Sequence, residues 1–117
     1  MKIPPLKIYQ AKKRIFPYVT RTPLVRAHAL SDLCEAEIWC KLETMQPTGA
    51  FKLRGATNAI LRLNEDQRKR GVVAVSTGNH GRGVAYAARE QGVKAVICLS
   101  NLVPINKVEA IKSLGAD

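Results

Sequence analysis

Aromatic side chains are scarce in this chain of 117 residues, where Phe, Trp and Tyr make up 5%. A core built here must rest on Ala, Val, Ile and Leu. Apolar residues reach 46% and charged residues 24%, which excludes a disordered tail and a collagen-like repeat. The length suffices for one domain and falls short of two ordinary ones. No apolar run is long enough to span a bilayer, and the N-terminus has no apolar signal core, a pattern that reads as cytoplasmic. Cys34, Cys40 and Cys98 show no C-x-x-C spacing, and His28 and His80 stand far apart, so no metal site is expected. The three thiols read as buried and reduced.

Acidic residues are missing from the first 26 positions, which carry seven Lys and Arg. The other 91 residues hold 12 basic and 9 acidic side chains, so the formal charge of +10 is front-loaded. A charge of that size raises nucleic acid or an acidic membrane as a partner. A nucleic-acid module, however, needs a basic face spread over ordered structure with stacking aromatics. Here there is a charged first segment and six aromatics. A small basic nucleic-acid-binding module is therefore the weaker reading, and neither nucleic acid nor membrane is expected as a partner. A non-catalytic assembly partner is a third reading.

Ile8, Ala11 and Ile15 recur at helical spacing after Pro4 and Pro5, predicting a helix over 6–16 that Pro17 ends. Its Lys and Arg would lie on its solvent side. Thr22-Pro23-Leu24-Val25 reads as extended, 30–35 as a helical turn capped by Ser31, and 37–42 as a strand. Residues 44–49 contain Pro47 and Gly49 and form a loop. A helix over 51–63 follows, with Ala56, Ala59, Ile60 and Leu63 as its apolar stripe. Asn64 caps a short continuation ended by Gly71. Residues 72–75 read as a buried strand, 76–83 as a polar glycine-rich loop, and 84–91 as a helix stopped by Gly92. A second strand over 94–99 and a helix over 104–114 complete a parallel α/β unit. Both strands look built to be covered on two faces, and the pattern asks for another strand after Asp117. The chain is expected to be a piece of a larger protein.

Two segments could carry chemistry. Ser76-Thr77-Gly78-Asn79-His80-Gly81-Arg82-Gly83 joins a strand to a helix, where successive backbone N–H groups can hold an anion and glycines allow close approach. Its G-x-x-G-x-G spacing is neither the dinucleotide fingerprint nor a Walker loop. The physics names a carboxylate or phosphate without choosing; a tight turn capped by Asn or Ser is the purely structural alternative. In Thr48-Gly49-Ala50-Phe51-Lys52-Leu53-Arg54-Gly55, Lys52 falls at a helix start near Arg54. A helix N-terminus, a neighbouring cation and partial desolvation would favour a reactive amine. Standing alone, Lys52 reads better as a surface lysine on a basic helix, one of ten lysines in the chain.

Together the two segments resemble the fold-type II pyridoxal-phosphate enzymes, in their threonine/serine dehydratase and serine racemase branch. The resemblance runs through Lys41-Leu42-Glu43, Pro47-Thr48-Gly49-Ala50-Phe51-Lys52-Leu53-Arg54-Gly55-Ala56, Gly71-Val72-Val73, Ser76-Thr77-Gly78-Asn79-His80-Gly81 and Gly83-Val84-Ala85-Tyr86-Ala87-Ala88. Pro104, Lys107 and Leu114-Gly115-Ala116 also fall in register. It covers nearly the whole chain.

The resemblance implies a three-layer parallel α/β fold of the tryptophan-synthase-β-like kind, incomplete here. Residues 1–43 would belong to the larger domain, and 44–117 would begin the smaller one. Lys52 is implied to hold pyridoxal 5'-phosphate as a Schiff base and to move the substrate's α-proton, with Phe51 beside the cofactor. Asn79 is implied to hydrogen-bond the cofactor's ring hydroxyl. Ser76, Thr77, Gly78, Asn79 and His80 are implied to cradle the amino-acid carboxylate. In racemizing relatives a serine at the place of Thr77 is the acid/base on the opposite face; threonine's β-branch restricts that reach. The implied reaction is β-elimination of water from a threonine- or serine-like amino acid, by a homo-oligomer. Racemization is the alternative.

Two departures stand out. Ala50 replaces a common serine, and the phosphate loop and pyridine-nitrogen partner of such enzymes lie further along than this chain reaches, so the chain alone is expected to be inactive. His80 favours dehydratase or racemase over cysteine or threonine synthesis. Leu102-Val103-Pro104-Ile105-Asn106-Lys107 is similar to dehydratases of hydroxyectoine utilization.

Overall fold

The structure, a computed structural model, describes residues 3–117. Helix α1 (Pro5–Ile15) opens on Pro4 and Pro5, whose fixed φ suits a first helical turn. A 3-10 turn (Phe16–Tyr18) takes up Pro17. Lys7, Lys12 and Lys13 are exposed and Arg14 is half-buried, donating 2.5 Å to Asn58 Oδ1. The front-loaded charge is thus largely a solvated helix face.

Strands β1 (Leu24–Arg26) and β2 (Trp39–Lys41) pair antiparallel, Val25 opposite Cys40. Between them lies helix α2 (His28–Cys34). Ser31 sits inside this helix rather than capping it. Its buried hydroxyl donates to Ala27 O at 2.9 Å and accepts from Ile38 N at 2.9 Å, tying the helix to the entry of β2. The expected cap is in fact a tertiary bond.

Helix α3 (Lys52–Ile60) follows a second 3-10 turn (Glu43–Met45). It buries Leu53, Ala56, Thr57 and Ile60, while Ala59 is exposed. Of the expected stripe, Ala56, Ile60 and Leu63 reach the core, and Leu53 and Thr57 take the inward places instead of Ala59. Helix α4 (Glu65–Arg70) has the capping box expected of Asn64, with Gln67 as its partner, and closes on Gly71 at φ +80°.

Strands β3 (Val72–Val75) and β4 (Ala95–Cys98) pair parallel, Val73 opposite Val96, through helix α5 (Asn79–Glu90). Only one face of this pair is covered: Val73 is 70% and Val75 80% exposed. The β-branched run looked like a strand buried on both faces, yet the described residues supply helices to one. On the far edge of β4, Asp117 N donates to Ala95 O (3.0 Å) and Ile97 N donates to Asp117 O (2.8 Å), the bonding of a parallel neighbour. Helix α6 (Ile105–Lys112) packs against α5.

The core gathers Leu53, Ala56, Ile60, Val84, Ala85, Ala88, Val93, Ile97 and Ile111. Alanines and glycines line the buried side of α5, which brings α3 and α5 close. Small residues here do what the missing aromatics could not. Cys34 and Cys98 are exposed and Cys40 is half-buried, all three free, so the expectation of buried thiols fails. No helix among the described residues is long and apolar enough to cross a membrane.

Candidate active site

Lys52 is the first residue of α3, and its placement depends on the loop before it. Gly49 takes φ +70°, which a glycine adopts without penalty. Its N–H donates to Gln46 O at 2.7 Å. Thr48 is wholly buried, and its hydroxyl has no partner among the described residues. The loop thus inserts Thr48 and Ala50 inward and leaves Phe51 and Lys52 exposed. The Lys52 ammonium lies 5.2 Å from the Phe51 ring centroid, within cation–π range. Because Lys52 is exposed, the described residues do not supply the desolvation expected at this amine.

Two residues further, Arg54 grips Glu43 with both arms of its fork: Nε to Oε2 at 2.8 Å and Nη2 to Oε1 at 2.7 Å. Thr22 Oγ1 donates to the same carboxylate at 2.6 Å and Gln46 Nε2 at 3.2 Å. Arg54's hydrogen bonds hold the Glu43 carboxyl at about 2, below its ordinary 4.5, against the upward push of burial, with Thr22, the charge of Arg54 and Gln46 assisting. Gln46 also clasps Thr20 through both ends of its amide, at 3.0 and 2.9 Å. This network pins the first turn of α3 to the segment preceding β1. Arg54, expected as a cation neighbouring Lys52, is instead engaged by Glu43, for which no role was expected. An acid before a proline–glycine loop and an arginine after it was the available signal.

The turn after β3 is shorter than expected, because α5 already begins at Asn79. Ser76 Oγ accepts from Gly81 N at 3.0 Å and from Gly78 N at 3.4 Å, so serine closes the turn. Gly81 permits this: a Cβ there would stand 3.0 Å from Ile97 Cγ2 and 3.1 Å from Ser76 O. Gly78 is the N-cap residue and provides no side-chain cap. The N–H groups of Thr77, Asn79 and His80 have no acceptor among the described residues. The turn is both things its sequence allowed, a serine-closed junction and an array of free donors. It lies beyond the carboxyl end of β3, the edge of a parallel sheet where ligands bind.

The expected residues share one end of the α3/α5 pair but divide between two cavities. Phe51, Lys52 and His80 line one of about 550 Å³, together with Val84. Thr77, Gly78 and Asn79 line another of about 420 Å³, walled by α6. Ser76 lines neither, its hydroxyl being spent within the turn.

The donor set suits an aldehyde- and phenol-bearing cofactor. An exposed primary amine stands at a helix start, flanked by an exposed aromatic ring, and uncapped N–H groups lie at the neighbouring helix. The described residues hold no group of three or more His, Cys, Asp or Glu that could bind a metal ion. Residues 15–117 match the family described as pyridoxal-phosphate dependent enzyme. The chain belongs to that family. Pyridoxal phosphate is the cofactor of that family.

A Sinorhizobium fredii protein, named provisionally as a threonine dehydratase, is 54% identical over 93% of this chain and 33% of its own length. The L-threonine ammonia-lyase of Thermotoga maritima is 44% identical over 93% of this chain and 27% of its own. Among solved structures, the serine racemase of Dictyostelium discoideum superposes with a TM-score of 0.90 at 39% identity, over 95% of this chain and 36% of that one. The chain spans about a third of the length of such relatives. The incomplete α/β architecture agrees with that of these fold-type II enzymes.

Proposed function

We propose that this chain carries the lysine-bearing part of a pyridoxal-phosphate-dependent ammonia-lyase acting on a β-hydroxy amino acid of the threonine or serine kind. What carries the reading is the juxtaposition of an exposed amine at the start of α3 with free N–H donors at the start of α5. Bound at Lys52, the cofactor supplies an electron sink for the substrate's α-carbon. The N–H groups of Thr77, Asn79 and His80 hold the substrate carboxylate in the cradle implied by the resemblance, while Ser76, accepting from Gly78 N and Gly81 N, closes the turn that presents them. Once the substrate's own amine had taken its place, the freed Lys52 amine would take the α-proton. Loss of that proton and of the β-hydroxyl releases one water, which is regained when the resulting C=N bond is hydrolysed. The products are a 2-oxo acid and ammonia. Asn79 orients the cofactor through its carboxamide, and Phe51 shields one side of the amine from water.

Racemization is the second reading, favoured by the exposed Thr77 hydroxyl at the start of α5 and by the structural likeness to a serine racemase. A hydroxyectoine-derived substrate is a narrower form of the first. The reading further assigns residues 1–43 to one domain and 44–117 to the start of another. It places the enzyme in the cytoplasm as a homo-oligomer, with activity requiring more than these residues.

The test is turnover of L-threonine and L-serine by the enzyme carrying this segment, with and without pyridoxal phosphate. Cofactor-dependent release of 2-oxo acid and ammonia, lost in Lys52→Ala, is expected. Production of D-serine in excess of 2-oxo acid would favour the racemase instead.

A further inference from the structure

The cavity between α5 and α6 holds two cations with no counter-charge. Arg82 of α5 and Lys107 of α6 both line it, Asn106 adds an amide, and no carboxylate lines it. The Nε of Arg82 is buried and has no hydrogen-bond partner among the described residues. The ion pairs among the described residues lie elsewhere, at Arg26–Glu37, Arg54–Glu43 and Arg89–Glu90. A buried guanidinium N–H without an acceptor is costly, and it needs a reason. The surrounding backbone compounds the imbalance. Both helices present their N-terminal ends here, through Asn79 of α5 and Asn106 and Lys107 of α6. Neither end has a side-chain cap or an acidic residue in its first turn, so each leaves partial positive charge unanswered.

We propose that the α5/α6 cleft is an oxyanion subsite, in which Arg82 and Lys107 take a carboxylate or phosphate group. It shares its cavity with Thr77, Gly78 and Asn79 of the carboxylate cradle proposed above and differs from that cradle in the groups it uses. That cradle uses backbone N–H groups of the Thr77–His80 turn, whereas this subsite uses side-chain cations from α5 and from a second helix. Arginine's fork suits a planar or tetrahedral oxyanion, and Lys107 adds a point charge from the opposite wall. The oxyanion has two possible sources. One is a second carboxylate on the amino-acid substrate, which rests on the function proposed above; the other is a free inorganic anion.

The test is a titration of the purified protein with inorganic phosphate, at ionic strength held constant with chloride, following the amide resonances of α5 and α6. Saturable shifts are expected, with affinity weakened about tenfold in Arg82→Gln and in Lys107→Gln and unchanged in Lys52→Ala. Lys107 is exposed, so its variant reports even if Arg82→Gln fails to fold. Phosphate shifts that are absent, or unaltered by both glutamine variants, would overturn the subsite. L-aspartate and L-alanine then compete with phosphate. Displacement by aspartate alone assigns the oxyanion to a substrate's second carboxylate, and displacement by neither assigns it to a free anion. Displacement by both would merge the subsite with the α-carboxylate cradle and overturn it as a separate site. Phosphate is not a substrate, so failure here leaves the ammonia-lyase reading to its own turnover test.

Discussion

Gly83 lies against Lys52: a Cβ added to the glycine would stand 3.3 Å from both the carbonyl carbon and oxygen of Lys52. The contact is backbone to backbone, so neither side can rotate away. It fixes the start of α3, and with it the lysine, at one turn's distance from the start of α5. Gly83→Val is expected to cost about 2 kcal/mol through overpacking. Gly83→Ala should come out near neutral, since the tight contact offsets a helix-propensity gain of about 1 kcal/mol. Chemical denaturation checks both, and a valine variant as stable as wild type would mean the helices do not approach this closely.

Glu43 and Arg54 make a pH-dependent clamp. The folded-state carboxyl at about 2 lies below the ordinary 4.5. Its stabilisation is therefore complete above the ordinary value and lost as pH falls from 4.5 towards 2. Glu43→Gln is expected to lose on the order of 2 kcal/mol at neutral pH. Denaturation curves of wild type and variant should converge as the medium is acidified through that window. A gap that persists unchanged would show that the carboxylate's charge is not what holds Arg54.

Ser76 closes the donor turn through Gly81 N at 3.0 Å. Ser76→Ala should cost about 1 kcal/mol and speed hydrogen exchange at Gly78 and Gly81, leaving β3 unaffected. Exchange at Gly81 that is no faster than in wild type would remove the serine from this role.

Cys34 and Cys98 are exposed and Cys40 is half-buried. A thiol reagent should modify two cysteines promptly in the native protein and the third more slowly. Three equally slow thiols would restore the buried reading that composition favoured.

The sequence carried those parts of the fold that depend on local signals. The Asn64–Gln67 capping box, the glycine stops and the β3–α5–β4 order follow from side-chain chemistry within a few residues. Parts set by distant partners were not legible in the same way. Ser31 looked like a cap because its acceptor role towards Ile38 requires the chain to return. Val73 and Val75 looked buried because β-branched composition cannot tell which sheet face has a partner. At the site, the motif residues Lys52 and Asn79 stood out, whereas Glu43 and Arg54 became meaningful only when 2.7–2.8 Å distances joined them. The division of Lys52 and Asn79 between two cavities had no local signal at all.

The role of Lys52 can be tested most directly by borohydride reduction of the protein in the presence of pyridoxal phosphate, followed by peptide mapping. The chain has ten lysines, so the position of the adduct discriminates among them. Lys52→Ala should fold with stability within about 0.5 kcal/mol of wild type, because the side chain is exposed. A reduced cofactor adduct concentrated on Lys52, and lost in Lys52→Ala, is the expected result. An adduct concentrated on any other lysine would contradict the assignment.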